Sequence, residues 1–205
     1  MADKKVSPDH PIHHLLAERW SPYAFDSRPV ASADLCSLFE AARWAPSSYN
    51  EQPWTYLVAT RDDKDEFERL LSCLAEGNQA WAKAAPVLAL GVVALKFARN
   101  NNDNRAAIHD LGLASANLLV EATARGLSVH QMIGILPDKA RELYQIAPQS
   151  EAWTGLAIGY KGDPNKLPDA LKQRDLGPRQ RKKLDQFVFS GKWGKPAPLL
   201  EKGPS

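Results

Sequence analysis

The chain has 205 residues, of which 44% are hydrophobic and 24% charged, with 26 Lys and Arg against 24 Asp and Glu. This length suits one domain or a tight pair, and near-average apolar and charged fractions exclude a wholly disordered, collagen-like or membrane-embedded chain. A formal net charge of +2 is too small to indicate a general nucleic-acid or membrane-surface protein.

Hydrophobic periodicity and breaker residues predict alternating helices and strands along the chain. Four predicted helices are 12–20, 62–74, 103–125 and 137–145. A fifth begins after an N-cap at Ser32 and ends before Pro46. The predicted strands are 54–59, 86–95, 127–132 and 153–160. With no internal repeat, this order favours a layered α/β or α+β domain.

The helix predicted over 103–125 is the longest and is expected to be the central one. Gly126 follows it in the position that often ends a helix in the left-handed conformation. Its predicted buried side consists of Ile108, Leu111, Leu118, Leu119 and Ala122.

The basic excess lies at the carboxyl end. From Lys161 onward there are 11 Lys and Arg, 5 Asp and Glu, and 6 of the 15 prolines. The run from Arg179 to Lys183 is compatible with a solvated surface, a nuclear-type signal or an anion site. This tail has little periodicity but carries scattered apolar residues such as Phe187 and Trp193, so we expect it to cover a second copy of the chain.

Several features predict a cytoplasmic protein. The longest strongly apolar stretch, 84–95, has 12 residues, whereas a membrane-spanning helix needs about 20. The basic amino terminus has no apolar region behind it, so we expect no secretory signal. Cys36 and Cys73 form no paired motif, which fits a reducing compartment.

Common catalytic signatures are missing from the sequence, including nucleophile-elbow, phosphate-loop, dinucleotide-binding and zinc-protease motifs. His10, His13 and His14 lie in a polar terminus without a Cys or carboxylate set to complete a metal shell, so we expect no metal site. His109 and Asp110 are adjacent on a predicted helix and are expected to point apart, which favours a structural role over a catalytic pair.

Three polar segments carry candidate binding chemistry. Residues 19–25 place an Arg and a hydroxyl two positions apart at a helix exit, and the loop at 45–54 offers neutral donors and acceptors to a flat polar heterocycle. At 131–134, a glycine after a strand allows a ligand to approach the backbone. Each segment alone also fits an ordinary helix exit, Ser/Asn turn or glycine turn.

Four segments, RWSPYAF, ARWAPSSYNEQPW, GLSVHQMIG and RQRKKLDQFVF, occur in the order and spacing of the nitroreductase family of FMN-dependent oxidoreductases. The chain resembles that family from about Pro11 to Phe189. The resemblance implies a three-layer α+β fold with a central, mostly antiparallel sheet flanked by helices. It implies one domain over 1–205, with a core at about 11–160 and an extension at about 161–205 that wraps the partner of a homodimer.

The resemblance also implies FMN sites at the subunit interface. The residues that it assigns to FMN are Arg19, Trp20, Ser21, Tyr23, Pro46, Ser47, Ser48, Asn50, Gln131, Met132, Ile133, Gly134, Arg179 and Arg181. The arginines suit the phosphate because a guanidinium makes bidentate, charge-assisted bonds. Residues 46–50 correspond to a loop that reaches the isoalloxazine from the partner, and 131–134 to backbone beside the ring. Trp20 and Tyr23 stand where the family usually has cations.

The activity implied is a ping-pong reaction in which NADH or NADPH gives a hydride to flavin N5 and an electron-poor acceptor then takes the electrons. Nitroaromatic, quinone, enone and aldehyde acceptors all fit, and no side chain is predicted to be catalytic. An N–H donor from Gly134 near N5 and O4 would favour the reduced flavin. Reductive dehalogenation, flavin destruction and a non-catalytic flavin carrier or sensor remain alternatives.

Overall fold

The computed structural model describes Val6 and residues 8–200. Within these residues one antiparallel sheet has the strand order β1-β2-β4-β3. Its strands are β1 (Trp54–Thr60), β2 (Val87–Ala94), β3 (Ser128–Met132) and β4 (Ser150–Gly159). β2, which is apolar throughout, and β4 occupy the centre of the sheet.

Helices cover both faces of the sheet. In the described part of the chain they are α1 (His14–Glu18), α2 (Ser32–Arg43), α3 (Lys64–Leu71), α4 (Glu76–Ala82), α5 (Ala107–Ala124), α6 (Pro137–Tyr144) and α7 (Asp169–Leu176). α2 and α5 pack on one face, around Leu38, Leu118 and Leu156. α3 and α4 pack on the other face, around Leu70 and Leu90. The expected layered α+β fold with an antiparallel sheet is therefore confirmed.

The predicted central helix is α5, whose buried side includes Leu111, Leu118 and Ala122. It ends before Gly126, which has φ +71° and therefore the left-handed conformation expected there. Ile108 was predicted to be buried, but 40% of it is exposed. The prediction was wrong because the first turn directs Ala107 and Asp110 inward and leaves Ile108 at the margin of the buried stripe.

Three local features differ from the sequence-based expectations. The N-cap of α2 is Ala31, and Ser32 is the first helical residue. α4 was not predicted because only Trp81 and Ala82 in its seven residues are buried. α7 was not predicted because its buried residue is Asp175, a carboxylate that gives no hydrophobic periodicity.

The carboxyl-terminal segment divides into two parts. Its first part returns to its own chain: Lys161 pairs with Phe25, and a Cβ on Gly162 would lie 2.5 Å from the Phe25 backbone. Farther on, Phe189 pairs with Pro196 in a small hairpin, and 94% of Trp193 is exposed. Residues 201–205 of the predicted extension lie outside the described residues. No helix in the described part of the chain is long and apolar enough to cross a bilayer.

Candidate functional site

Three arginines from distant parts of the chain converge at the exit of α1. Arg19 is half-buried and donates to Ser21 Oγ at 3.2 Å, while Arg179 donates to the Ala17 carbonyl at 2.6 Å. Burial, followed by the charges of Arg179 and Arg181, lowers the pKa of Arg19. Like charges in a partly desolvated site repel each other, and a bound anion would offset that repulsion. The cluster thus has the electrostatics of an anion site.

Two long-range hydrogen bonds fix the segment that carries Ser21. His130 on β3 donates from Nδ1 to the Pro22 carbonyl at 2.8 Å, and the Tyr23 N–H donates to Asp175 Oδ1 at 2.7 Å. Burial lowers the pKa of His130, although its bond to the Pro22 carbonyl acts in the opposite direction. The lowered pKa favours a neutral ring, and the bond to Pro22 keeps the proton of that ring on Nδ1. These bonds hold the segment between β3 and α7.

The side chains of Trp20 and Tyr23 have different environments. Trp20 lines a cleft of about 360 Å³ beside Arg19, together with Arg28 and other residues. Tyr23 is half-buried, and its ring packs edge-on against Trp81 at 5.2 Å and against His130 at 4.7 Å. The Tyr23 ring therefore belongs to the aromatic packing between β3 and α4, and its assignment to FMN stays a prediction.

β3 carries the segment predicted to lie beside a flavin ring. Gln131 Nε2 is buried and has no hydrogen-bond partner among the described residues. Met132 is buried in the core, whereas 71% of Ile133 is exposed. A buried amide donor without a partner costs free energy, so Gln131 offers a specific binding group to a polar ligand.

Gly134 follows β3 and is exposed at its backbone. Its carbonyl accepts from the Ala75 N–H at 2.9 Å and from Asn78 Nδ2 at 2.8 Å. A Cβ at this position would lie 2.5 Å from Asn78 Nδ2, so a larger residue here would displace the end of the Asn78 side chain and its bond to the Gly134 carbonyl. The approach of a ligand to the Gly134 backbone stays a prediction.

The polar loop between α2 and β1 has an unusual backbone. Tyr49, Asn50 and Gln52 have φ values of 54°, 55° and 50°, a left-handed conformation that costs side-chain-bearing residues free energy. The Ser48 N–H donates to Asp110 Oδ2 at 2.9 Å, and the Gln52 N–H donates to Ser47 Oγ at 3.0 Å. These bonds hold the loop in one conformation, with Pro46 and Asn50 exposed at its surface.

Asp110 therefore positions the loop from the first turns of α5. Only 1% of Asp110 is exposed, and its second oxygen lies 3.1 Å from Nδ1 of the exposed His109. The expectation that these neighbours point apart was wrong. Although successive Cβ directions on a helix differ by about 100°, the two side chains are long enough for His109 Nδ1 to contact the Asp110 carboxylate. The contact of Asp110 with Ser48 supports a structural role.

One chain brings together only part of the predicted site. The arginine cluster and β3 are joined by the bond between His130 and Pro22. The polar loop is anchored at Asp110, whereas the cleft beside Arg19 reaches Thr123 near the other end of α5. At 1.5 Å per helical residue these two ends are about 20 Å apart. The loop thus lies far from the arginines of its own chain.

The possible metal ligands in the described residues do not cluster as the three arginines do. Among the residues that the structure describes, no three His, Cys, Asp or Glu side chains gather in a way that could hold a metal ion. His13 instead caps α1, since its Nδ1 accepts from the Leu15 N–H at 3.3 Å. The structure thus shows an α+β protein with a cluster of three arginines and a separate polar loop held by Asp110.

Comparisons with known proteins agree with this class. A sequence model described as Nitroreductase family matches residues 16–76. The chain is 34% identical over 136 residues to an uncharacterised 15.4 kDa protein of Mycolicibacterium smegmatis, covering 66% of this chain and 90% of that protein. It is 33% identical over 96 residues to the major NAD(P)H-flavin oxidoreductase of Aliivibrio fischeri, covering 46% of this chain and 44% of that protein.

A solved structure described as an oxidoreductase containing FMN superposes with a TM-score of 0.87 at 33% sequence identity. The match covers 94% of this chain and 98% of that chain. The protein belongs to the nitroreductase family.

Proposed function

We propose that the protein is an FMN-dependent oxidoreductase that uses NADH or NADPH to reduce an electron-poor small molecule. The observation that carries this proposal is the convergence of Arg19, Arg179 and Arg181 beside β3, in a chain of the nitroreductase family. The names of the relatives, one an FMN-containing oxidoreductase and one an NAD(P)H-flavin oxidoreductase, support the cofactor and the electron donor.

The residues present fit FMN at both of its polar ends. A phosphate dianion would offset the repulsion among the three arginines, with Ser21 as an additional donor. Gln131 Nε2, which has no partner among the described residues, and the N–H of the exposed residue Gly134 would donate to polar edges of the flavin ring. FMN held there would supply the redox chemistry, namely acceptance of a hydride from NAD(P)H and transfer of two electrons to an acceptor.

The distance along α5 supports a homodimer as the functional unit. The loop that holds Ser47, Ser48 and Asn50 lies about 20 Å from the arginine cluster of its own chain and would complete the ring-binding site of a second copy. Trp193, 94% exposed, and Leu199, 79% exposed, supply apolar surface that a second copy would cover.

The residues of this chain would bind, orient and shield the reacting groups, and none needs to act as a nucleophile. Acceptors of the nitroaromatic, quinone, enone or aldehyde type can take a hydride and a proton, which together amount to two electrons and two protons. For a nitroaromatic, the balanced first step is Ar–NO2 + NAD(P)H + H⁺ → Ar–NO + NAD(P)⁺ + H2O.

The experiment is an absorbance spectrum of the purified protein, followed by anaerobic titration with NADH and NADPH and then with an acceptor. We expect flavin bands that bleach on addition of the nucleotide and return on addition of 4-nitrobenzamide. Bands that do not bleach would indicate a carrier or sensor. Halide release from an organohalide, or loss of the flavin ring in air, would favour the other flavoenzyme types. A colourless protein that takes up no FMN would refute the proposal.

A further inference from the structure

A second loop packs against the polar loop that is proposed to reach the flavin. Residues 96–103 follow β2 and are closed by pairing of Lys96 with Asp103. Within it the Asn101 N–H donates to the Phe97 carbonyl at 2.8 Å, so the loop has a defined conformation. We call this segment the 96–103 loop.

The contact between the two loops consists of aromatic rings, a guanidinium and one hydrogen bond. The rings of Tyr49 and Phe97 meet edge to face with centroids 5.9 Å apart. The guanidinium carbon of Arg99 lies 4.3 Å from the centre of the Tyr49 ring and 5.1 Å from that of Phe97. The Ala98 N–H donates to Glu51 Oε1 at 2.5 Å. Arg99 is thus held at the tip of the loop against the proposed flavin-binding segment.

Arg99 is exposed, and a guanidinium carries five N–H donors. A guanidinium stacked on aromatic rings uses its faces for that contact and keeps its edge for hydrogen bonds. Within the described residues Arg99 forms no ion pair, whereas Lys96 is paired with Asp103 at 2.7 Å. Glu51, the nearest carboxylate in the contact, accepts from the backbone of Ala98. Lys96 and Arg99 are matched in number by Asp103 and Glu51, and the edge of the Arg99 guanidinium is the cationic group that the tip of this loop presents to solvent.

The left-handed backbone of Tyr49 is a second sign that the contact with Arg99 is specific. Tyr49 has φ 54° and is 75% exposed, so neither backbone preference nor burial accounts for its position. The position instead brings its ring under Arg99. An arginine supported in this way loses less side-chain entropy when it binds a planar anion than a free surface arginine does.

We propose that Arg99, supported by Tyr49 and Phe97, recognises a carboxylate on the electron acceptor and so directs the protein toward anionic acceptors. This inference rests on the proposed function, because it places the polar loop beside the flavin of a second copy. The acceptor class it names is an electron-poor aromatic or unsaturated compound that carries a carboxylate away from the group that is reduced.

The test compares two acceptors that share a nitro group and differ in charge, 4-nitrobenzoate and 4-nitrobenzamide. We expect wild-type protein to favour the carboxylate in kcat/KM by about 10-fold, the value of one partly exposed charge-assisted hydrogen bond. Arg99→Gln should bring the ratio close to one by reducing activity on 4-nitrobenzoate alone. Added salt should lower the ratio in the wild type and leave it unchanged in the variant.

Arg69→Gln is the matched control, because it removes the same charge from an exposed arginine on α3 that pairs with Glu66. Its acceptor ratio should equal that of the wild type. Calorimetric binding of benzoate and benzamide, which are not reduced, gives a readout independent of turnover. The same preference for the anion should be seen, and Arg99→Gln should abolish it.

The outcomes separate this inference from the proposed function. Reduction of both acceptors at equal kcat/KM, unaltered by Arg99→Gln, would overturn the inference and leave the oxidoreductase intact. A change in the KM for NADPH but not for NADH, with no change in the acceptor ratio, would assign Arg99 to the donor's phosphate and equally overturn it. Bound FMN that neither NADH nor NADPH bleaches would refute the proposed function itself.

Discussion

Replacing Arg181 with Gln should weaken FMN binding without destabilising the apoprotein. Arg181 is exposed, and the hydrogen bond that the structure gives it is to the carbonyl of its neighbour Gln180, at 2.7 Å. Its charge contributes to lowering the pKa of both Arg19 and Arg179. In the apoprotein this charge therefore acts as an unfavourable neighbour, and its removal should leave the thermal midpoint unchanged or slightly higher.

The effect on FMN should have the opposite sign. A charge-assisted hydrogen bond contributes about 1–3 kcal/mol, so its loss from a phosphate should raise the FMN dissociation constant about 5- to 150-fold. Quenching of flavin fluorescence during titration of the apoprotein measures that constant, and differential scanning fluorimetry measures the thermal midpoint. Higher ionic strength should weaken wild-type binding more than it weakens binding by Arg181→Gln.

Arg69→Gln serves as the control here as well, since its guanidinium lies on α3 and pairs with Glu66. The control should bind FMN as the wild type does. An FMN dissociation constant for Arg181→Gln equal to that of the control would remove Arg181 from the phosphate site. A large fall in apoprotein stability would show instead that the arginine cluster stabilises the fold, which would contradict the hypothesis that the cluster binds an anion.

Three further predictions concern Asp110, His130 and the carboxyl-terminal tail. Asp110→Ala should lower the free energy of unfolding by about 1–3 kcal/mol, because it leaves the Ser48 N–H without its acceptor. Asp110→Asn keeps an acceptor oxygen and should lose less. Equal losses for the two variants in denaturant titrations would contradict the role of this hydrogen bond. His130 has a pKa below its ordinary 6.5, so protonation favours the unfolded chain and stability should fall as pH drops below about 6.5. His130→Asn should flatten that dependence, and an identical pH profile in the variant would contradict it. Truncation before Leu184 should weaken the dimer, whereas an unchanged dimer in sedimentation would exclude the tail from the interface.

Much of the fold could be predicted from the sequence because its strongest patterns arise from burial. β2 is apolar throughout, and β4 is buried from Thr154 to Gly159, since helices cover both of their faces. α5 is periodic since one side packs on the sheet, and Gly126 marks its end. α7 could not be predicted in the same way, because its inward residue is Asp175, which bonds the Tyr23 N–H. Such a polar contact leaves no hydrophobic period.

The candidate site was only partly accessible to sequence reasoning. The arginines stand out as charges, and their grouping followed from the family resemblance. The loop anchor did not stand out, because Ser48 and Asp110 are 62 positions apart and an Asp in a helix is ordinary. The left-handed backbone at Tyr49 also has no signature, since tyrosine rarely adopts it. Both depend on tertiary contacts that residue spacing does not encode.

The distance between the arginine cluster and the polar loop of one chain has a thermodynamic consequence. If the arginine cluster of one chain and the loop of another both contact FMN, FMN binds the dimer more tightly than the monomer, and it must stabilise the dimer by the same factor. The apparent FMN dissociation constant should then fall as protein concentration rises through the dimer dissociation constant. Asp110→Ala should reduce this coupling, because it loosens the loop and leaves the arginines of the first chain in place. An FMN affinity independent of protein concentration, measured across a range in which sedimentation shows both monomer and dimer, would place the whole site within one chain.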